Sequence, residues 1–119
     1  MAPLRSGLTL LCLPALLSLP PAASARSPAD ADPPPLRLVI ENHRFSPEEL
    51  RAPAGKPIVI LIENRDDTPE EWESLRLRKE YGMRGHQSGR VVIKPQPAGR
   101  YVFQGEFHAK TAKGVLIVE

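Results

Sequence analysis

The stretch Ile58-Val59-Ile60-Leu61-Ile62-Glu63 is the strongest structural signal in this sequence. Its continuous apolar run is bounded by turn residues on both sides, with Pro53-Ala-Gly-Lys-Pro57 before it and Asn64-Arg-Asp-Asp67 after it. A short apolar run between turn signals is typical of a β-strand that is buried on both faces. The sequence therefore predicts a central strand over residues 58–63.

Shorter β-rich runs lie on both sides of this strand, and no part of the chain shows a long apolar period of 3.6 residues. The further predicted strands cover residues 36–41, 70–77, 89–94, 100–103 and 114–118. Residues 47–50 are expected to form at most a single helical turn. Strands at this spacing, separated by Pro/Gly turns, predict an all-β fold, an antiparallel Greek-key β-sandwich.

Length and composition exclude several classes of protein. The chain has 119 residues, which suits one domain, and its 16 Lys and Arg residues nearly balance 14 Asp and Glu residues. That balance argues against a nucleic-acid binder and against a polybasic membrane module. A single cysteine excludes an intrachain disulfide, a cysteine zinc site and an iron–sulfur cluster.

The first 25 residues have the pattern of a secretory signal peptide. Arg5 supplies the positive charge, Leu8 to Leu19 form a short apolar run, and Ala23-Ser24-Ala25 is a small-residue cleavage site. We therefore expect cleavage after Ala25, a periplasmic location, and no direct membrane insertion after signal cleavage. Cys12 would leave with the signal peptide, so the mature chain would carry no thiol.

The next segment is rich in proline. Eight of the 14 prolines lie at or before Pro35, and residues 26–35 (RSPADADPPP) show no apolar period. This composition predicts a flexible or extended linker. The folded domain is then expected over residues 36–119.

Three motifs of the domain occur in a familiar order. They are Phe45-Ser-Pro with Pro53-Ala-Gly-Lys56, then Thr68-Pro-Glu-Glu-Trp-Glu73, then Gly99-Arg-Tyr-Val-Phe-Gln-Gly-Glu-Phe-His108 followed by Gly114-Val-Leu-Ile-Val118. Together they resemble the cupredoxin-like domains of the EfeO type, most closely the small periplasmic members associated with Ftr-type high-affinity iron permeases. The resemblance covers about residues 36–119.

The sequence departs from the blue-copper members of that fold. A blue-copper site needs two His, one Cys thiolate and usually a weak axial Met. In this resemblance Gly105 stands where the Cys would be and Glu70 stands where the first His would be, while His108 keeps the position of the second His. The axial Met position falls near Ala112 or Lys113. Electron shuttling by blue copper is therefore not expected.

The remaining candidate ligands are carboxylates and one imidazole on two segments, namely Glu70, Glu71, Glu73, Glu106 and His108. In an extended chain Glu71 and Glu73 would share one face, and Glu106 and His108 would share one side. This donor set suits Fe, Mn, Cu(II) or Zn. The resemblance implies iron or copper as the bound metal and an inner-membrane iron permease as the partner, with capture of Fe(II) and an added role in its oxidation. For the acidic run the competing interpretation is a solvated strand edge around a core tryptophan.

Two alternatives stay open at this point. Met83 and His86 are weaker candidate ligands, and with His108 they would suit a copper-binding or copper-delivery protein. The other alternative is a metal-free interaction subunit of a transporter, for which the run Arg76-x-Arg78-Lys79 could form a docking face for an acidic partner.

The chain has no hydrolase elbow, no zinc-protease motif and no phosphate-binding glycine loop, so an enzyme is not expected.

Overall fold

A computed structural model describes residues 2–4, 7 and 9–119 of the chain. The strands of the described residues all lie between Leu36 and Val118. They are β1 (Leu36–Glu41), β2 (Arg44–Ser46), β3 (Glu49–Ala52), β4 (Ile58–Asn64), β5 (Glu70–Ser74), β6 (Lys79–Met83), β7 (Ser88–Ile93), β8 (Gly99–Gly105) and β9 (Lys113–Val118). Short 3-10 turns occupy Pro28–Asp30 and Glu106–His108.

The strands form two sheets that pack face to face, so the predicted β-sandwich is confirmed. One sheet has the order β2-β1-β4-β7, and the other has the order β3-β9-β8-β5-β6. The sheets are mixed, because β1 pairs with β4 and β3 pairs with β9 in parallel. The chain leaves β1 through the β2 hairpin and crosses to the other sheet at β3, so β4 returns beside β1 in the same direction. The prediction of wholly antiparallel sheets was wrong on this point, since the residue pattern of a strand does not encode its direction.

The core lies between the two sheets and is built by alternating side chains. On β4 the side chains of Ile58, Ile60 and Ile62 are fully buried, whereas Val59 and Leu61 on the outer face are only half-buried. The prediction that β4 is buried on both faces was therefore right only for the inner face, since the outer face is half-buried. Every buried apolar side chain of the described residues lies between Leu38 and Val118. A chain that starts at Arg26 consequently contains the whole core.

Two local predictions were wrong. Residues 47–50 do not form a helical turn, because Glu49 to Ala52 pair as a strand with β9. The strand predicted over residues 70–77 ends at Ser74, and after a turn the chain returns as β6 beside β5. The sequence of β6 lacks a strong apolar alternation, since this edge strand is mostly exposed. Its strand conformation comes from pairing with β5.

The residues before β1 contain no strand among those described, and their only regular structure is the turn Pro28–Asp30. Arg5 and Leu8, on which the signal-peptide prediction partly rests, lie outside the described residues. The signal peptide, linker and periplasmic location stay predictions. Within the described part of the chain no helix is long and apolar enough to cross a membrane.

Asn64 fixes two loops at one end of the sandwich. Its side chain is buried, and its Nδ2 donates hydrogen bonds to the carbonyls of Thr68 and Arg84 at 2.9 and 3.0 Å. Its Oδ1 accepts a hydrogen bond from the N–H of Asp66 at 3.0 Å. One side chain thus joins the loop after β4 to the loop after β6, so these loops hold fixed positions beside the start of β5.

We expect Asn64→Ala to lower the free energy of unfolding by about 2–4 kcal/mol, because it removes a buried side chain and the three hydrogen bonds that join the loops after β4 and β6. Urea unfolding followed by circular dichroism measures the change. The control is Glu63→Ala, the neighbouring exposed residue, for which we expect a change below about 0.5 kcal/mol. Equal losses in the two variants would contradict the role assigned to Asn64.

Candidate functional site

The two segments predicted to carry ligands meet at one end of the sandwich. Strand β5 begins there and β8 ends there, and Trp72 of β5 pairs in register with Gly105 of β8. After Gly105 the chain turns through the 3-10 segment Glu106–His108. We call this end, which also carries the loops after β1, β4 and β6, the site end.

Glu70 connects β5 to the turn that follows β8. Its side chain is only 2% exposed. Its Oε1 accepts hydrogen bonds from the N–H groups of Glu71 and Phe107 at 2.9 and 3.0 Å, and its Oε2 lies 2.6 Å from Nδ1 of His108. Both carboxylate oxygens therefore have partners within the protein, as the burial of a carboxylate requires.

His43 is a residue of the site that the sequence did not reveal. Its ring stacks on the ring of His108 with 3.6 Å between centroids and 11° between planes. Its Nε2 lies 3.3 Å from Oγ1 of Thr68. The only sequence signal was a histidine two residues after a predicted strand. The parallel pairing of β1 with β4 was needed to bring it to the site end.

Asp66 holds the turn that carries His43. Its carboxylate oxygens accept hydrogen bonds from the N–H groups of Asn42 and His43 at 2.7 and 2.9 Å, where both residues have a positive φ. Partial burial opposes ionisation of Asp66, but these hydrogen bonds and the nearby His43 and His108 outweigh it. The pKa of Asp66 is therefore held below its ordinary value of 3.8.

The other acidic candidates lie on the outer face of the five-stranded sheet. Glu71 and Glu73 share one face of β5, as predicted, and this face points away from the core. Glu106 and His108 do not share a side, because residues 106–108 form a 3-10 turn and not an extended strand. His108 instead contacts Glu70, and Glu106 lies beside Glu71.

Glu71, Glu106 and Glu80 form a surface group of carboxyls, which we call the acidic triad. A hydrogen bond with Glu106, loss of solvation and the negative charges of Glu106 and Glu80 raise the pKa of Glu71 from 4.5 to about 7. Glu80 was not among the predicted residues, because β6 itself was not predicted. Glu73 pairs in register with Glu80 on the same face. The fold therefore keeps acidic groups together against their mutual repulsion.

Met83 and His86 occupy different environments. Met83 is the last residue of β6, is 3% exposed and pairs in register with Glu70. His86 is on the surface, and its ring contacts Asp67. Among the described residues no group of three or more His, Cys, Asp or Glu side chains is arranged to hold a metal ion. The predicted ligands instead form two neighbouring groups, the buried Glu70–His108 pair and the acidic triad, with Glu73 beside the latter.

A blue-copper centre does not fit these residues. A Cβ atom built on Gly105 would lie 2.6 Å from Cδ of Glu70 and 2.8 Å from Cβ of Ala112. A cysteine at this position would therefore collide with the carboxyl group that replaces the first histidine. Such a centre needs a thiolate, two imidazoles and usually an axial Met. At the positions that the resemblance assigns to the thiolate, the first imidazole and the Met, this chain has Gly105, Glu70 and Ala112 or Lys113.

Comparison with known protein families and solved structures agrees with the β-sandwich fold described above. The family profile described as "Cupredoxin-like domain" matches residues 9–118. The chain belongs to the cupredoxin-like domain family. An uncharacterised protein of Rickettsia prowazekii (strain Madrid E) is 36% identical over 83 residues, which is 70% of this chain and 66% of that protein.

Solved cupredoxins share the fold. Auracyanin A of Chloroflexus aurantiacus, a "blue" copper protein, superposes with a TM-score of 0.64 at 16% identity over 74% of this chain and all of that one. The metal-binding domain of a Cu(I)-exporting P-type ATPase from Streptococcus pneumoniae D39 gives 0.61 at 19% identity, covering 71% of this chain and 83% of that one. A purple cupredoxin from Nitrosopumilus maritimus gives 0.55 at 18% identity, covering 71% and 99%. At these identities the likeness establishes the fold of this cupredoxin-like protein.

We expect Gly105→Ala to lower the free energy of unfolding by about 1–3 kcal/mol, because the added Cβ overpacks the space between Glu70 and Ala112. The loss should be smaller when the same change is made in a Glu70→Ala background, since one of the colliding groups is then gone. Gly82→Ala is the control, because a Cβ there meets no atom within 4 Å. Equal losses from Gly105→Ala in both backgrounds would show that Glu70 does not restrict this position.

The acidic triad also predicts a pH dependence of stability. The folded state keeps the Glu71 proton up to a pKa of about 7, whereas the ordinary value is 4.5. The folded state therefore binds more protons than the unfolded state in this window, so the free energy of unfolding falls as pH rises from 4.5 to about 7. Urea unfolding at several pH values should show a shallower fall in Glu106→Gln but not in Glu49→Gln, a control residue on β3. An unchanged slope in Glu106→Gln would contradict the coupling.

Proposed function

We propose that this cupredoxin-like protein acts in the periplasm and captures a divalent cation, Fe(II) foremost, for an inner-membrane iron permease. The cation is its cargo and not a resident blue-copper centre. The proposal is supported by the exported-type leader, by the resemblance of the paired motifs, and by the chemistry of the donors at the site end. Oxygen donors with imidazole favour harder divalent cations than the thiolate-containing copper sites do.

The observation that carries this proposal is the acidic triad, held together at the edge of the site end where Glu70 also orients His108. Three carboxyls that repel one another are held together by the fold, and Glu71 keeps a proton near pH 7 in the absence of a cation. A divalent cation would displace that proton and neutralise the repulsion. If these residues only formed a solvated strand edge, the Glu71 and Glu106 carboxyls would not need to lie within hydrogen-bonding distance, because repulsion would favour a larger separation.

The Glu70–His108 pair has a positioning role in this proposal. Metal-binding histidines commonly present one ring nitrogen to the metal and the other to a carboxylate that fixes the ring. Here Nδ1 of His108 faces Oε2 of Glu70, so Nε2 is the nitrogen left for a ligand, and stacking on His43 fixes the ring plane. Glu70, which the sequence suggested as a ligand, thus orients His108 and brings Glu106 beside Glu71 through the N–H of Phe107.

Capture of Fe(II) does not by itself include its oxidation. Oxidation of Fe(II) to Fe(III) releases one electron, so it would need a separate electron acceptor. Copper delivery through Met83 and His86 is less well supported, because Met83 is buried in the core and His86 contacts Asp67 on the surface. Named copper proteins that share the fold, such as auracyanin A, support a metal-handling role for the fold in general.

Titration calorimetry of residues 26–119 with Fe(II) under anaerobic conditions, and with Mn(II) and Cu(II), tests the proposal. We expect Fe(II) and Mn(II) to bind with release of protons below pH 7, since binding displaces the Glu71 proton. Glu71→Gln/Glu106→Gln should abolish this binding, and Glu70→Gln should weaken it by about 10-fold or more, the usual effect of losing a group that orients a histidine ligand.

The matched control is Glu49→Gln/Glu119→Gln, which removes two carboxylates that pair with Arg51 on a distant edge. This control should bind like the unmodified chain. Absence of binding, or equal weakening in both double variants, would refute the metal-capture proposal and favour the metal-free interaction subunit. Cu(I) binding that depends on Met83 would favour the copper alternative.

A further inference from the structure

The fold separates positive from negative charge, although the whole chain is nearly neutral. The acidic residues at or next to the site end are Glu41, Glu63, Asp66, Asp67, Glu70, Glu71 and Glu106. The opposite end carries exposed cations in the turn before β6, just after β7 and at the start of β8, namely Arg76, Arg78, Lys79, Lys94 and Arg100. We call this second group the basic end. The site end also carries the cations Arg44, Arg65, Arg84 and Lys110, but the acidic residues there outnumber them, so the molecule has an electric dipole along its strands.

The cations of the basic end surround a partly apolar groove. Arg78, Lys79 and Lys94 line a groove of about 270 Å³ between the edge strands β6 and β7, together with Leu77 and Val92. Among the residues that the structure describes, these three cations form no side-chain ion pair. Glu73 and Glu80 border the group on the side of the acidic triad.

Leu75 stands at the tip of the basic end. It is 75% exposed, in the turn that also carries Arg76 and Arg78. Arg76 is fixed there, because its guanidinium donates to the carbonyl of Arg100 and lies 4.6 Å from the centre of the Tyr101 ring. Positive charges on edge strands are explained by the need to prevent edge-to-edge pairing. An exposed leucine beside Arg78 and Lys79 is not explained in that way.

We propose that the basic end is a docking surface for an anionic phospholipid bilayer. Cations close to such a surface gain favourable free energy from the negative headgroups, and an apolar side chain between them can enter the boundary with the acyl chains. The charge distribution also sets the orientation, because the acidic site end is repelled by the same surface. Docking is independent of metal binding, and it leaves the site end facing away from the bilayer.

Vesicle binding of residues 26–119 tests this proposal. We expect the chain to bind phosphatidylcholine vesicles that contain about 30% phosphatidylglycerol, to ignore vesicles of phosphatidylcholine alone, and to be released by about 0.5 M NaCl. Lys79→Gln/Lys94→Gln should weaken binding about 30-fold, since each cation near an anionic surface contributes about fivefold. The matched control is Arg84→Gln/Lys110→Gln, which removes the same charge at the site end and should bind at least as well as the unmodified chain.

A second measurement reports the orientation. Residues 26–119 contain no cysteine, so one engineered cysteine can carry an environment-sensitive fluorophore. The label in Leu75→Cys should shift to the blue on anionic vesicles, and the label in Phe107→Cys should not. Phe107 is a suitable control because it is also apolar and exposed, at 54%, but lies at the site end.

Three outcomes would overturn the proposal. They are equal weakening in the two double variants, a blue shift at position 107 in place of position 75, and failure to bind anionic vesicles. If the chain failed to bind vesicles but bound polyglutamate through Lys79 and Lys94, the partner of the basic end would be an acidic protein and not a lipid surface. Circular dichroism of each variant excludes loss of folding as the cause.

Discussion

A buried carboxylate is stable only if both of its oxygens have partners, and Glu70 meets this requirement in a way that organises the whole site end. One oxygen accepts N–H groups from β5 and from the turn after β8, and the other faces His108. These contacts fix the turn, place Glu106 beside Glu71 and orient the His108 ring against His43. The acidic triad depends on this interaction, since without it the turn would have no fixed position relative to β5.

The same interaction explains why this cupredoxin-like protein departs from the copper proteins that share its fold. Glu70 occupies space that a side chain at position 105 would need, so glycine at that position and glutamate at position 70 belong together. A change at one position without the other is expected to produce a collision or an empty space. In the correspondence that the family resemblance implies, an internal carboxylate–imidazole pair occupies the place of a thiolate and imidazole site.

Charge is the second property that the fold redistributes. Averaged over the chain, the near-balance of acids and bases argues against a polybasic membrane module. The strand order nevertheless places more Arg and Lys than acidic residues in the turns at one end, and more acidic residues than cations in the loops at the other. Cation capture through the acidic triad and docking through the basic end would thus use different surfaces of one sandwich, which adjoin where Glu80 borders Arg78 and Lys79.

The sequence by itself determined the β-sandwich, its central strand, the relation to cupredoxins and the shared face of Glu71 and Glu73, because strand burial and motif order are local properties of the chain. Local pattern could not predict the parallel pairs, the edge strand β6 or the 3-10 turn at residues 106–108, since each depends on partners distant in sequence. For the same reason only the tertiary structure placed His43 against His108, added Glu80 to the acidic triad and separated Glu106 from His108. Side-chain roles at the site end are set by which strand ends meet there, and that is decided by the packing of the two sheets.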